Sequence, residues 1–241
     1  MLGVGKYEMM ENGFRFSDEL GPLKVIHISN PAINLKAILV IDNVAMGPSI
    51  GGLRMAPDVT TEECFRLARA MTLKNAAAGL KHGGGKSVLV GAPLMPKEQK
   101  EELIRGMAQA LRTEDNYIFG PDMGTNEECM AWVYDEIGRS VGLPKELGGI
   151  PLDEIGATGF GLAHAAEIAA PACGLSLDGA RVAVQGFGSV GIHAARFLAE
   201  RGCRLVAASD SRGILHDPNG LDINALADVK KAGGSVSEYA N

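Results

Sequence analysis

A glycine-rich hexapeptide in the last third of the chain constrains the fold more than any other segment. The apolar stretch Arg181–Gln185 is followed by Gly186-Phe187-Gly188-Ser189-Val190-Gly191 and then by Ile192–Arg201, which has helical spacing. A second apolar stretch, Arg204–Ser209, leads to Asp210, roughly 20 residues beyond the turn, as the motif requires. This order of strand, glycine turn, helix and strand predicts a βαβ unit that binds a dinucleotide.

The three glycines of the turn have separate expected roles. Gly186 permits a tight turn, Gly188 lets the backbone approach a pyrophosphate, and Gly191 allows the helix to pack closely on the strand. The helix then directs its positive N-terminal end at the phosphates. Glycine makes up 32 of the 241 residues, so the motif alone is weak, and a packing turn in another α/β protein is the alternative. The surrounding strand, helix and acid favour the nucleotide site.

The residues at the end of the second strand bear on the choice of cofactor. Asp210 is expected to bind a ribose hydroxyl group, which favours NAD. Ser211 and Arg212 follow directly, and an arginine at this place could instead meet the 2′-phosphate of NADP. We therefore expect all six residues of the turn, with Asp210 and Ser211, to contact the cofactor, and the choice between NAD and NADP stays open.

A second glycine-rich segment brings two lysines close together in the sequence. Lys74 lies near the end of a predicted helix, and Lys86 follows Gly83-Gly84-Gly85. Glycine runs adopt backbone angles closed to other residues, so we expect a tight loop that fixes Lys86 near a second cation. Such an amine is suited to act as a general base. Pro121-Asp122 supplies a carboxylate, and the three features together predict a nicotinamide-dependent dehydrogenase.

The first half of the chain alternates predicted strands and helices. Strands are expected at Lys24–Ser29, Leu35–Asp42, Ser87–Gly91 and Tyr117–Gly120. Helices are expected from a cap at Thr60 or Thr61, over Lys97–Leu111, from Asn126 with an apolar face reaching Val141, and over Gly159–Ala170 up to Pro171. Glycines and prolines between Gly142 and Gly156 mark a break, so we place a boundary between domains 1–150 and 151–241.

Charge, apolar content and cysteine usage exclude several classes of protein. The net charge of −6 argues against a nucleic-acid surface, and no apolar run approaches the roughly 20 residues that cross a membrane. Residues 1–20 lack the long apolar run of a secretory signal. The four cysteines lie far apart, so we expect no metal site and reduced, buried thiols in a cytoplasmic protein.

Six motifs resemble, in order, those of the glutamate/leucine/phenylalanine/valine dehydrogenases. They are Gly51-Gly52-Leu53-Arg54-Met55, Met71-Thr72-Leu73-Lys74, Gly83-Gly84-Gly85-Lys86, Pro121-Asp122-Met123-Gly124-Thr125, Ala157-Thr158-Gly159-Phe160-Gly161 and the dinucleotide turn. The resemblance covers nearly the whole chain from about Lys24 onward. It implies an α/β fold with an N-terminal α/β domain for substrate binding and oligomerisation, followed by an incomplete Rossmann-type dinucleotide-binding domain.

The resemblance also implies an activity and its residues. The reaction is the reversible oxidative deamination of an L-amino acid to a 2-oxo acid and ammonia, with NAD or NADP, in a homo-oligomer. Lys86 would activate the water that attacks the imino acid, and Asp122 would carry a proton to and from the substrate nitrogen. Lys74 would pair with the substrate α-carboxylate, and Thr158 would help hold the nicotinamide amide. Arg54 stays outside the catalytic set, as an ion-pair partner that shapes the loop.

The substrate pocket is expected to include Ile50, Gly51, Gly52 and Met71 beside Lys74. Glutamate-specific members of the family carry a lysine at the position of Ile50, where it binds the side-chain carboxylate. Ile50 and Met71 therefore favour a branched aliphatic or aromatic amino acid, with glutamate as the alternative. The segment after the second strand of the βαβ unit is more like the glutamate branch, so the branch assignment is mixed.

Members of the family continue far beyond the position that matches Asn241. The expectation is therefore a fragment or a truncated relative, with little or no dehydrogenase activity on its own. The rival function, from another class, is a non-catalytic relative that assembles with other subunits or binds partners.

Overall fold

The computed structural model describes residues 14–239, which fold into two compact units divided between Ile150 and Pro151. The first unit contains a five-stranded mixed sheet, within the described residues, in the order β1-β2-β4-β3-β5. Strands β3, β4 and β5 are mutually parallel, whereas β1 and β2 are antiparallel to their neighbours. The strands are β1 Lys24–Asn30, β2 Leu35–Asn43, β3 Ser49–Ala56, β4 Gly83–Val90 and β5 Tyr117–Pro121.

Helices cover both faces of this sheet. They are α1 Thr61–Ala77, α2 Lys97–Ala110 and α3 Glu127–Ile137. Since side chains alternate along a strand, β2 directs Leu39 and Ile41 to one face and Val40 to the other. The first two pack with apolar residues of α2 and α3, and Val40 packs with Cys64 and Ala68 of α1. The predicted α/β fold class is confirmed.

The triple glycine lies in a strand and not in the expected tight loop. Strand β4 begins at Gly83, four residues before the predicted start, and β3 was not predicted at all. Close backbone approaches explain the glycines: a β-carbon at Gly84 would lie 2.1 Å from the Thr72 nitrogen, and one at Gly83 would lie 1.7 Å from the Asn43 oxygen. Glycine in a strand interior marks such an approach, which a reading based on turn propensity misses.

The second unit contains the predicted βαβ unit and two further elements. Strands β6 Arg181–Gln185 and β7 Arg204–Asp210 are parallel, and β8 Gly213–His216 adds an antiparallel strand beside β7. The helices are α4 Ala157–Ala172, α5 Ser189–Ala199 and α6 Ile223–Lys231. Helix α4 continues one residue beyond Pro171 and does not stop before it. Strand β8 and helix α6 were not predicted.

The four cysteines are free, but they are not all buried as expected. Cys64, Cys129 and Cys203 are buried, whereas Cys173 is exposed at the end of α4. No group of three or more residues suited to hold a metal ion lies within residues 14–239. The helices in this part of the chain are too short or too polar to cross a membrane.

We predict that Gly84→Ala destabilises the first unit. The added methyl group would overlap the backbone of α1, and overpacking of this kind costs about 1–3 kcal/mol. Trp132, the only tryptophan, lies in α3, so urea unfolding followed by its fluorescence reports on this unit. Gly120→Ala in β5 is the matched control, because its β-carbon would make only ordinary contacts at 3.5 Å or more. Equal stability of the two variants would contradict the close packing of α1 on β4.

Candidate active site

A lysine–aspartate pair lies on the α1 face of the first sheet. The Lys86 side chain is only 7% exposed, and its Nζ lies 2.6 Å from Asp122 Oδ2. Lys86 occupies the middle of β4, and Asp122 directly follows β5. The structure therefore brings together the two residues that sequence reasoning proposed for catalysis.

Two glycines of β3 have separate roles here: Gly52 makes room for this pair, and Gly51 lets β3 lie close to β4. A β-carbon at Gly52 would lie 2.7 Å from the Asp122 β-carbon and 3.2 Å from Lys86 Nζ. A β-carbon at Gly51 would lie 1.8 Å from the Gly85 oxygen, on the neighbouring strand. Any larger side chain at Gly52 would thus fill the space over the pair. These positions were expected to line the substrate pocket, and the geometry explains why both are glycine.

Arg54 joins the pair to helix α1. Its Nε donates to Asp122 Oδ2 at 3.0 Å, and its Nη1 donates to Glu63 Oε1 at 2.6 Å. Asp122 Oδ2 therefore accepts from Lys86 and Arg54 together. Sequence reasoning had left Arg54 outside the site. The sequence feature that indicates a role for Arg54 is its spacing of two residues from Gly52, which places both side chains on one face of β3.

The charges of this cluster fix the protonation of Asp122. Burial raises the pKa of the Asp122 carboxyl, but the hydrogen bond and charge of Lys86, with the charge of Arg54, outweigh burial and hold that pKa below its usual range. Burial lowers the pKa of Arg54, and its contacts with Glu63 and Asp122 more than compensate. Asp122 is therefore an anion at neutral pH and can accept a proton from a neighbouring group.

The end of α1 is tied to the beginning of β4 and to the end of β2. The Asn75 Nδ2 donates to the Gly83 oxygen at 2.8 Å, and the Thr72 hydroxyl donates to Asp42 Oδ2 at 2.6 Å. Lys74 lies between these anchors, is exposed, and has no hydrogen-bond or ion-pair partner within residues 14–239. Its amine is thus available to an anion.

The remaining substrate residues lie nearby on the same elements. Ile50 is half-buried in β3, beside Gly84 of β4 and Ile118 of β5. It faces the same side of the sheet as Gly52 and Arg54, because these positions are two and four residues further along the strand. Met71, on α1, is also half-buried.

The dinucleotide turn of the second unit has the expected backbone geometry. Gly186 has a φ of +88°, which favours glycine, and its N–H and that of Phe187 donate to the Ser209 oxygen of β7. A β-carbon at Gly191 would lie 2.1 Å from the Gly186 oxygen, so only glycine permits this packing of α5. Gly188 is the N-cap of α5 and provides no side-chain cap, which leaves the first N–H groups for an anion. These residues fit a bound pyrophosphate.

The expected cofactor residues near this turn differ in their accessibility. Thr158 of α4 lines a small crevice with Ser189 and Val190, so the structure brings these three together. The Phe187 side chain is fully buried in the core of the second unit. The expectation that Phe187 contacts the cofactor is therefore limited to its backbone, because the ring is needed for packing.

Asp210 is engaged within the protein, which the expectation of ribose binding did not foresee. Its Oδ2 accepts from Lys230 Nζ at 2.5 Å and from the Val236 nitrogen at 3.0 Å. Its Oδ1 accepts from the Ser235 hydroxyl and from the backbone nitrogens of Arg212 and Gly213. The hydrogen bonds from Lys230 and Val236 are the main causes that lower the pKa of Asp210. A carboxylate offers about four acceptor sites, so a ribose hydroxyl would have to displace a donor.

The two residues after Asp210 lie at the surface. Ser211 is exposed, and the Arg212 guanidinium donates to the Gly233 oxygen at 2.7 Å. Arg212 Nη1 also lies 3.7 Å from Glu238 Oε1. These contacts direct the Arg212 guanidinium toward Gly233 and Glu238, near the end of the described chain.

A buried lysine–aspartate pair and a dinucleotide turn are features that a dinucleotide-dependent dehydrogenase requires. Comparison with protein families agrees. Residues 23–139 match the Glu/Leu/Phe/Val dehydrogenase dimerisation domain, and residues 148–241 match the Glutamate/Leucine/Phenylalanine/Valine dehydrogenase domain. The chain belongs to the glutamate/leucine/phenylalanine/valine dehydrogenase family.

Curated relatives of the chain carry related names. It is 40% identical to the glutamate dehydrogenase of Aeropyrum pernix, over 82% of this chain and 50% of the relative. It is 39% identical to an NAD-specific glutamate dehydrogenase of Staphylococcus aureus, over 81% of this chain and 50% of the relative. It is 36% identical to the NADP-specific glutamate dehydrogenase of Saccharolobus shibatae, over 82% of this chain and 49% of the relative. The chain thus spans about half the length of these relatives.

Among solved structures, the chain is similar to the hetero-hexameric glutamate dehydrogenase of Thermus thermophilus in its leucine-bound form. The TM-score is 0.79 at 29% identity, and the match covers 96% of this chain and 62% of that one.

We predict that Gly188→Val weakens cofactor binding without unfolding the second unit. No heavy atom lies within 4 Å of a β-carbon at this position, so valine fits but projects in front of the α5 N-terminus. Dissociation constants for NAD and NADP, measured by calorimetry, should rise roughly tenfold or more, which corresponds to ~1.4 kcal/mol. Gly161→Val in α4 is the control, since its β-carbon also meets no atom within 4 Å. Unchanged affinity in Gly188→Val would exclude this turn as the phosphate site.

Proposed function

We propose that the protein is an NAD(P)-dependent amino-acid dehydrogenase that oxidatively and reversibly deaminates L-glutamate. The observation that carries the proposal is the buried Lys86 amine, 2.6 Å from the ionised Asp122, in the gap left by Gly52. Membership of the family and the names of its relatives support the same chemistry. The cofactor is NAD or NADP, because relatives specific for each match the chain.

The expected preference for an apolar amino acid is not supported. The relatives are named as glutamate dehydrogenases, so the alternative of the sequence reading becomes the first choice of substrate. Ile50 remains a departure from the pattern, because an uncharged side chain there offers the glutamate side chain no ionic partner.

The chain's own residues account for the proton transfers of the proposed reaction. A nicotinamide cofactor, when bound, would supply the chemistry that accepts a hydride from the substrate α-carbon. Lys74 binds the α-carboxylate, and Asp122 accepts a proton from the substrate nitrogen. Lys86, once it has lost its own proton and is a free amine, takes a proton from the water that adds to the resulting imine. Release of ammonia then gives the 2-oxo acid. Closing water out of the gap over Gly52 would strengthen these contacts.

The proposal includes assembly and location. Residues 23–139 match a dimerisation domain, so we propose a homo-oligomer formed through the first unit. Free thiols at Cys64, Cys129, Cys173 and Cys203 support a cytoplasmic location. The partners are the amino acid and its 2-oxo acid, and the negative charge disfavours nucleic acid.

A second candidate is a non-catalytic subunit that assembles with another member of the family. The similar Thermus thermophilus structure is described as hetero-hexameric with leucine bound, and Ile50 would suit an apolar ligand. Turnover by a purified homo-oligomer would exclude this candidate, whereas leucine binding without turnover would favour it.

We predict that Lys86→Ala lowers kcat by about 10²–10⁴-fold, the usual contribution of a general base. Turnover is followed as NADH or NADPH formation with a panel of amino acids, both for the 241-residue chain and for the chain fused to the C-terminal half of the Aeropyrum pernix relative. Lys97→Ala is the control, because Lys97 is an exposed lysine whose contacts among the described residues are Glu128 and the ring of Trp132, on the other side of the sheet from Lys86. A folded Lys86→Ala variant that keeps most of its kcat would remove Lys86 from the mechanism.

We predict that Ile50→Lys raises the kcat/KM ratio of glutamate over leucine. A lysine at this half-buried position would pair with the glutamate side chain, and a hydrogen bond to a charged group contributes about 1.5–3 kcal/mol, or roughly tenfold or more. Ile50→Met, which keeps an apolar side chain, is the control. If the ratio does not change, the side-chain carboxylate is bound elsewhere.

A further inference from the structure

Arg54 bridges two carboxylates, those of Asp122 and Glu63, which lie on different elements. Its Nε reaches Asp122 at the end of β5, and its Nη1 reaches Glu63 in the first turn of α1. The arginine side chain is 18% exposed, and its partners Asp122 and Glu63 are 22% and 36% exposed, so both contacts are partly buried. Lys86, Asp122, Arg54 and Glu63 thus form a chain of alternating charges that links β4, the end of β5, β3 and α1.

The geometry at Asp122 limits how its carboxylate can turn. Lys86 and Arg54 both reach the same oxygen, Oδ2, at 2.6 and 3.0 Å. Rotation of the carboxylate would break both contacts together. Lys86 alone would leave the carboxylate free to follow the long, flexible lysine side chain, whereas the planar guanidinium of Arg54 fixes a direction.

We propose that Arg54 is a positioning residue, which keeps Asp122 ionised and turned toward Lys86, and that Glu63 holds Arg54 in this place. The inference rests on the proposed function of Lys86 and Asp122. Arg54 does not itself take part in proton transfer. It acts through Asp122, and Glu63 acts through Arg54.

The other ionisable groups near the cluster are neutral, paired with another group or exposed at the surface. Burial raises the pKa of Cys64 to about 12 and also raises the pKa of Tyr117, so both stay protonated at neutral pH. On α1, Glu62 pairs with Arg15 and Arg66. Arg69 pairs with Asp18 and with Asp42 of β2, and Lys74 points to the surface. Glu63 and Arg54 are therefore the charges that act most directly on the pair.

The position of Glu63 makes the inference testable, because removing the charge of Arg54 and removing the charge of Glu63 should shift the Asp122 pKa in opposite directions. Removing the Arg54 charge leaves Asp122 with one cation less, which raises the Asp122 pKa. Removing the Glu63 charge frees the Arg54 cation to act on Asp122, which lowers that pKa. A clamp with a purely structural role would give the same loss of stability in both variants and no opposite shifts.

The first experiment follows the Asp122 carboxyl carbon by NMR titration in protein labelled with ¹³C-aspartate. The Asp122→Asn spectrum assigns its signal. We expect Arg54→Gln to raise the Asp122 pKa by about one unit and Glu63→Gln to lower it. Glu63→Gln keeps the α1 cap, because Thr60 accepts from the backbone nitrogen of Glu63. Arg66→Gln, which removes an exposed cation from the same helix, should leave the titration unchanged.

The second experiment measures turnover in a preparation in which the wild type is active. Arg54→Gln should lower kcat more than it raises KM, because a misplaced Asp122 weakens the transition state more than substrate binding. Arg54→Lys keeps the charge but cannot bridge both carboxylates, so it should restore the Asp122 titration more fully than kcat. It also provides a folded variant if Arg54→Gln is unstable.

An unchanged Asp122 titration in a folded Arg54 variant overturns the inference, whether or not the wild type turns over. Shifts of the same sign in Arg54→Gln and Glu63→Gln also overturn it. Absence of turnover in the wild type, beside the expected opposite shifts, contradicts the proposed function and leaves the hold of Arg54 on Asp122 supported.

Discussion

The burial of the Lys86 amine is the constraint on which the first unit depends. A buried cation is costly without a partner, and breaking a buried pair by removing one member costs about 3–5 kcal/mol. The site meets this cost with Asp122 and with the space that Gly52 leaves. The Tyr117 hydroxyl, hydrogen-bonded to Ser87, donates to the Gly51 oxygen at 2.8 Å and fixes β3 beneath that space. Gly52 thus leaves space for the Lys86–Asp122 ion pair, and the buried Tyr117 hydroxyl holds the strand that carries this glycine.

The close approach of backbone segments at glycines also explains the arrangement of α1. The helix can lie against β4 only because Gly84 has no side chain, and Asp42 then anchors it through Arg69 and Thr72. Two consequences follow at opposite ends of the helix. Glu63, in its first turn, reaches Arg54, and Lys74, in its last turn, stays at the surface without a partner among the described residues. The packing of α1 on β4 therefore bears both on the support of the pair and on Lys74, the free cation that we propose binds the substrate.

Much of this could be predicted from local sequence, and the exceptions share a cause. The βαβ unit, α2 and most of β1 and β2 follow from periodicity and lie within a few residues of their predicted bounds. The sequence pattern does not predict β3, and it places the start of β4 four residues too late. The reason is that glycines in both strands indicate turns unless the neighbouring backbone is known. The role of Arg54 depends on Glu63, nine residues away, and on Asp122, 68 residues away. Periodicity carries no information about such contacts, so the pair could be proposed from motifs but its supports could not.

Asp210 shows the same limit at the dinucleotide turn. The fingerprint predicts an acid at the end of the second strand, and the structure places one there, at the end of β7. Its partners, however, are Lys230 and Val236, 20 and 26 residues further along, and they join β7 to α6 and to the last described turn. An anion already held by a cation and by backbone N–H groups repels a cofactor phosphate less than a free carboxylate does. The acid therefore does not argue for NAD over NADP in this chain, and the exposed Ser211 and the orientation of Arg212 carry more weight for that choice.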